Sequence, residues 1–322
     1  MYKIFLCCLT LLSSAFWQQA SSSTLPEEQA ESSSSPKPGL VPQTITDQLM
    51  YCTVRIETDQ GVGTGFRFDF PLGDPSEKKT VPCLVTNKHV VKGATEAKFH
   101  FHGTIVTSDK IIPSSDKFIL ELKDIENRVI LHPKEEIDLC VIPFVPIIKE
   151  LEEYKKTPFM ISLNKTLIPT EEDLKKLSAV EDVLMVGYPT GLYDSVNNFP
   201  IFRKGITSTH PAIDFNGKPE FMIDAACFPG SSGSPVFIYN AGIYSVGHNN
   251  IVAGGRLLFL GILHSGPQMT VEGKIVTKDI PTQLTPFSQS NVMLNLGYVI
   301  KASQLDAFRI HFEKTLKTDV EQ

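Results

Sequence analysis

The sequence lacks the features that mark several large classes of protein. It has no long basic run, and its formal net charge is −6. No cationic face is therefore implied, and nucleic acid is not an expected partner. There is no zinc-finger spacing and no Cys-x-x-Cys pair, so the common structural-zinc and redox patterns are missing. No strand–glycine-rich loop–helix unit offers a phosphate cradle, and no repeat at solenoid spacing occurs. The apolar stretch Ile4–Trp17 is too short to span a bilayer. What is there is ordinary globular composition, 20% charged and 42% hydrophobic over 322 residues, enough for a sizeable core.

The N-terminal 20 residues read as a secretory signal. Lys3 gives a weakly positive start, and Ser13-Ser14-Ala15 or Gln18-Gln19-Ala20 supplies the end. An ordinary apolar N-terminal helix is the other reading. A lipoprotein signal fits less well, because Cys7 follows Leu6 rather than a small residue. Residues 21–43 are rich in Ser, Glu and Pro and read as a disordered linker. The folded domain is expected over residues 44–322, with no transmembrane span in the mature chain and an exported, periplasmic or secreted location. Of six cysteines, Cys52, Cys83, Cys140 and Cys227 would remain. They sit in apolar strand-like runs and read as buried thiols, with one disulfide left open if the compartment is oxidising.

From residue 44 onward the pattern is short strands with Gly/Pro turns, which indicates an all-β protein. Met50–Thr58 alternates, and Gly63–Phe70 carries an aromatic at every second place in its latter half. Val81–Thr86, Ala97–His102, Phe118–Leu122 and Arg128–Leu131 follow, then the run from Asp138. Ile147–Tyr154 reads as a short helix. Thr170 is placed to cap a second one, with acidic residues in its first turn. Further strands are expected at Val183–Pro189, Ile201–Thr207, Phe221–Ala226, Val236–Tyr239, Leu257–Leu263 and Val292–Ala302. A helix follows over Ser303–Leu316, with Leu305, Phe308, Phe312 and Leu316 on one face. Periodicity does not distinguish a sandwich from a barrel. His100 and His102 share a strand face, but no third ligand is near, so neither a metal nor another cofactor is expected.

One stretch stands apart: Cys227-Phe228-Pro229-Gly230-Ser231-Ser232-Gly233-Ser234-Pro235. Glycines beside a serine let the chain turn sharply and expose Oγ, and small neighbours let a carbonyl approach the backbone. The N–H groups of Gly230 and Ser232 could then face a developing oxyanion. The same string also reads as a Gly/Ser turn between two strands. Two other motifs supply partners for a nucleophile. Leu84-Val85-Thr86-Asn87-Lys88-His89-Val90-Val91 is a strand running into a histidine, and Ile137-Asp138-Leu139-Cys140-Val141-Ile142 is an aspartate leading a β-branched run. The order His89, Asp138, Ser232 is that of the chymotrypsin type of triad.

On these residues the sequence resembles the trypsin-like serine peptidases, and within them the bacterial high-temperature-requirement (Deg-type) branch. Thr86–Val91 resembles the branch's histidine motif, Asp138–Val141 its aspartate motif, and Asp224-Ala225-Ala226 through Pro235 its serine motif. Gly61-Val62-Gly63-Thr64-Gly65-Phe66 is similar to its glycine-rich first strands. The resemblance covers about residues 45–305. It implies two six-stranded antiparallel β-barrels, one over about 44–146 and one over about 180–302, with a C-terminal helix at 303–317 and the site between the barrels. It implies a serine endopeptidase acting on proteins or peptides: Ser232 as nucleophile, His89 as general base, Asp138 as its orienter, Gly230 and Ser232 as the oxyanion hole.

Several positions depart from the pattern. Ser231 stands where many animal relatives carry an aspartate that captures a newly cut N-terminus, so no activation by such a cut is expected. Too few residues follow Gly266 for the peptide-binding domains of most Deg-type members, so the chain reads as a protease domain alone. The resemblance places a substrate pocket at Ala226, Cys227, Leu263, His264 and Gly266. Ala226 does not select Arg or Lys, and the pocket implies a small or apolar side chain ahead of Glu. His264 lies one residue from a histidine that glutamyl endopeptidases use for acidic side chains, which leaves three readings: an acid-binding residue, a pocket-wall residue, or one hydrogen-bonded near Asp138. His210 and His248 receive no role. The other class of function that stays open is a non-catalytic, protease-like domain that binds peptides or partner proteins. An intracellular regulatory protease is opposed by the signal segment. Substrate identity and oligomeric state are not legible.

Overall fold

The computed structural model describes residues 36–73, 78–189, 192–247, 250–274 and 287–320. The signal, most of the linker and His248 lie outside the described residues.

Residues 36–43, expected to belong to a free linker, carry backbone contacts. Gly39 N–H donates to the Pro113 carbonyl and Ser115 N–H to that of Lys37, both at 2.8 Å. The Tyr51 hydroxyl donates to the Leu40 carbonyl at 2.7 Å. A strand edge offers unpaired peptide groups, and this segment takes some of them. The first element is a helix that the sequence had not suggested, α1 (Ile45–Met50), with Thr44 and Asp47 forming a capping box. The alternating strand expected from Met50 to Thr58 follows it.

The first half then contributes β1 (Thr53–Thr58), β2 (Gly61–Pro71), β3 (Thr80–Thr86), a one-turn helix α2 (Lys88–Val91), β4 (Glu96–Val106), β5 (Ile111–Lys123), β6 (Ile130–Leu131) and β7 (Cys140–Pro143). These pair in the order β5-β4-β1-β2-β3-β7-β6. Helix α3 (Phe144–Glu153) opens the connection between the halves, burying Phe144, Ile147 and Leu151. Two-residue strands β8 (Pro158–Phe159) and β9 (Leu163–Asn164) return to pair with β4 and β2, making nine strands in all. Thr170 caps α4 (Glu171–Lys175) through a second capping box with Asp173.

The second half closes into a six-stranded antiparallel barrel. Its strands are β10 (Asp182–Gly187), β11 (Ile201–Thr207), β12 (Glu220–Asp224) and β13 (Pro235–Asn240), with β16 (Arg256–Ser265) and β19 (Leu296–Lys301), joined as β10-β11-β12-β19-β16-β13. Two hairpins stand outside it: β14 (Ile243–Ser245) with β15 (Ile251–Ala253), and β17 (Gln268–Lys274) with β18 (Phe287–Met293). The second was not legible, because Val292 had suggested one strand running on to Ala302. The chain ends in α5 (Asp306–Val320). Among the described residues no helix is long and apolar enough to cross a membrane.

Strand alternation sorts most of the buried apolar residues into three bodies, with a smaller fourth of Tyr51, Phe159 and Ile161. Val54, Ile56, Leu84, Phe99, Leu120 and Ile142 fill the first half. Val183, Phe221, Ile223, Val236, Leu260 and Val299 fill the second. A third cluster joins them: Phe66, Phe68 and Phe70 from alternate places on β2 meet Phe237, Phe259 and Ile300, with Leu305, Phe308 and Phe312 from the C-terminal helical segment. Phe259 is fully buried and lies 5.4 Å, ring to ring, from both Phe66 and Phe237. All four cysteines are buried free thiols.

Two predictions follow from this packing. Phe259→Ala removes a ring common to both halves and should lower unfolding stability by about 3–5 kcal/mol, read as a shifted urea midpoint; a loss under about 1 kcal/mol would show that the halves do not depend on this cluster. On β4, burial pushes His100 and His102 down to about 4 from the ordinary 6.5. The unfolded chain therefore binds more protons between these values, and stability should fall as pH drops from about 6.5 to about 4. His102→Gln should flatten that slope in urea titrations across the window, and an unchanged slope would contradict the assignment.

Candidate active site

The histidine and aspartate are delivered by neighbouring strands of the first half. β3 and β7 pair antiparallel, Thr86 opposite Cys140, so the residues that follow β3 and precede β7 come out at the same end. There the chain leaves β3 into the single turn α2, which carries His89. His89 Nδ1 lies 2.5 Å from Asp138 Oδ2, and the backbone N–H of His89 donates to Asp138 Oδ1 at 3.1 Å. One carboxylate thus holds both ring and peptide, which leaves the far ring nitrogen, Nε2, as the basic atom of the neutral imidazole. Asn87 Nδ2 fixes the aspartate from behind by donating to the Asp138 carbonyl at 2.7 Å. The imidazole is about half exposed, so it is reachable.

The serine loop is shaped by two left-handed glycines, Gly230 at φ 86° and Gly233 at φ 87°. Ser231 N–H donates to the Phe228 carbonyl at 3.0 Å, closing a turn with Pro229 and Gly230 at its centre. Proline first and a positive φ second is the type II pattern. Among the described residues no protein acceptor takes the N–H of Gly230 or of Ser232. At Gly233 a Cβ would overlap the Thr64 carbonyl oxygen, so only glycine lets β2 come this close.

Thr64 ties this loop to the first half. Its N–H donates to the Ser232 carbonyl at 2.8 Å and its hydroxyl to the Gly230 carbonyl at 3.0 Å. The same hydroxyl accepts from Tyr188 N–H at 3.1 Å, and the Thr64 carbonyl accepts from the Thr86 hydroxyl at 2.8 Å. Thr64 lies in the glycine-rich string read from the sequence, but its role comes from contacts 166 residues apart, which local pattern does not encode.

Ser232 Oγ donates to the backbone carbonyl of His264 at 3.2 Å, and no bond to His89 is made in this conformation. The His264 ring lies near enough to feel both Asp138 and His89 electrostatically. His264 sits at a register shift between Leu263 and Ser265 that takes it out of strand alternation. Its Nε2 lies 3.0 Å from Glu220 Oε2 and its Nδ1 3.1 Å from the Ser265 hydroxyl. Burial pushes its pKa down, against the pull of Glu220. A neutral ring donating to Glu220 and accepting from Ser265 has no donor left for a substrate carboxylate. The structure thus pairs His264 with Glu220, which had carried no signal in sequence.

The remaining pocket positions divide. Cys227 and Leu263 are each 2% exposed and converge over Gly297 inside the second barrel, so they present almost no surface. Burial pushes the Cys227 thiol up to about 12. Ala226, His264 and Gly266 are half-buried. Ser231 is buried and offers no anion to an N-terminal amine. His100 Nε2 lies 3.2 Å from Arg55 Nη1 and His102 Nε2 3.0 Å from the Asn198 carbonyl oxygen, and the described residues contain no cluster of three metal-ligating side chains.

The trypsin-like peptidase domain family matches residues 63–247, and the chain belongs to that family. No curated protein matches the sequence. Among solved structures the chain is similar to a serine-to-alanine mutant of Rv3671c from M. tuberculosis H37Rv in an inactive form. Identity is 16%, over 88% of this chain and 96% of that one, with a TM-score of 0.39. It is also similar to the HtrA-type protease AlgW with a decapeptide, at 14% identity over 85% of this chain and 66% of that one, TM-score 0.37.

The knot at Thr64 yields a direct test. Thr64→Val keeps the shape but strands the Gly230 carbonyl and the Tyr188 N–H, and should cost at least about 2 kcal/mol of unfolding stability. Thr64→Ser should retain most of it. Equal stability of the valine variant in chemical denaturation would mean that the loop is held by other contacts.

Proposed function

We propose that the protein is a serine endopeptidase that hydrolyses peptide bonds of proteins or peptides through an acyl-enzyme, with His89, Asp138 and Ser232 as its triad. The observation that carries this reading is the double hold of Asp138 on His89, ring and peptide together, beside a serine loop whose Gly230 and Ser232 amides are open. Ser232 Oγ is turned to the His264 carbonyl. Rotation about its Cα–Cβ bond would bring it toward His89, which takes the proton as Oγ attacks the carbonyl carbon. The Gly230 and Ser232 N–H groups receive the oxyanion. His89 then returns the proton to the leaving amine, and water repeats the sequence to free the acid. No step draws on a metal or other cofactor. The leader read in residues 1–20 supports action after export. The alternative, a non-catalytic peptide-binding domain, shares the fold but has no use for the His89–Asp138 pairing.

A fluorophosphonate probe separates the two. The purified protein should be labelled covalently at Ser232, and Ser232→Ala should not be labelled. Asp138→Asn should keep the fold but fix the wrong tautomer of His89, lowering turnover by about 10⁴-fold. A folded wild-type protein that is never labelled would favour the binding reading.

A further inference from the structure

A basic side chain that no motif marks lies beside the serine loop. Arg203 lies on β11, opposite Met185 of β10. Its neighbour Phe202 packs on the cluster between the halves, so alternation turns Arg203 to the other face. There its guanidinium stands 5.0 Å from the centre of the Phe228 ring. Phe228 is the half-buried residue whose carbonyl closes the Pro229-Gly230 turn.

Arg203 is not satisfied by the protein. Its Nε is buried without a hydrogen-bond partner among the described residues. The acids around it are engaged elsewhere or absent from its reach. On β12, Glu220 is held by His264. On β10, Asp182 pairs with Lys204 at 2.8 Å. Asp224 is exposed and makes no ion pair with Arg203. The Cys227 thiol, in the same limb of the serine loop, feels the Arg203 cation. A cation stacked on an aromatic ring, with an orphaned donor and no counter-ion, is a site in want of an anion.

The place matters as much as the charge. A carbonyl bound to the Gly230 and Ser232 amides lies against the Phe228–Gly230 limb, and so does the side chain next to that carbonyl. We propose that Arg203 is a specificity-determining residue that selects substrates with an acidic side chain, Glu or Asp, on the residue contributing the cleaved carbonyl. This rests on the serine reading above and adds to it the class of substrate. It also moves acid recognition from His264, whose donors are occupied, to a guanidinium whose donors are not.

The test compares two peptides that differ only in Glu or Gln at that residue, with rates expressed per fluorophosphonate-titrated serine. The wild type should favour Glu by about 10- to 100-fold in kcat/KM, the worth of one charge-assisted hydrogen bond. Arg203→Gln should remove the preference, and Arg203→Lys should keep part of it. Equal wild-type rates, or a preference that survives Arg203→Gln, would overturn the proposal. An Arg203→Gln protein that folds but no longer takes the label would overturn it as well, making Arg203 a prop for the loop. A wild type that takes no label fails earlier, at the nucleophile, and the proposal falls with it.

Discussion

A single threonine on a strand of the first half holds the serine loop of the second. The hydroxyl and peptide of Thr64 bind the carbonyls of Gly230 and Ser232, accept the amide of Tyr188, and take the Thr86 hydroxyl from the strand that delivers His89. These groups are fully buried, where leaving one unpaired is costly, so the knot is either complete or the loop moves. It demands close approach, which explains the glycine at Gly233 beneath it. A side chain there would overlap the Thr64 carbonyl oxygen.

The knot works only because the two halves are pressed together. That is the task of the aromatic cluster in which Phe66, Phe68 and Phe70 of β2 meet Phe237 and Phe259, with α5 laid across the far end through Phe308 and Phe312. The same strand therefore serves both ends of the problem. Near its N-terminus Thr64 contacts the serine loop, and its C-terminal aromatics supply apolar burial.

The site divides its work between the halves in the same way. The first half holds His89, by giving Asp138 both its ring and its peptide. The second carries the Ser232 loop and the residues around it. Within the second half, charges are sorted by what already neutralises them. Glu220 and His264 satisfy each other, while Arg203 is left with a ring and no anion.

How much of this was written in the chain itself can be judged residue by residue. The glycines of the serine loop, most strands from β1 onward, the capping of α4 by Thr170 and the amphipathic C-terminal helix were legible. Each depends on near neighbours: turn chemistry, alternation or helical spacing. The helix α1 was missed, although its capping box was also local. Thr64, Glu220 and Arg203 could not be read. Their meaning comes from partners across the fold: Gly230, His264 and Phe228. The sequence by itself determined which chemical groups would be available. Only the tertiary structure decided which of them are already paired and which are left free, because pairing between buried polar groups is a matter of distance in space.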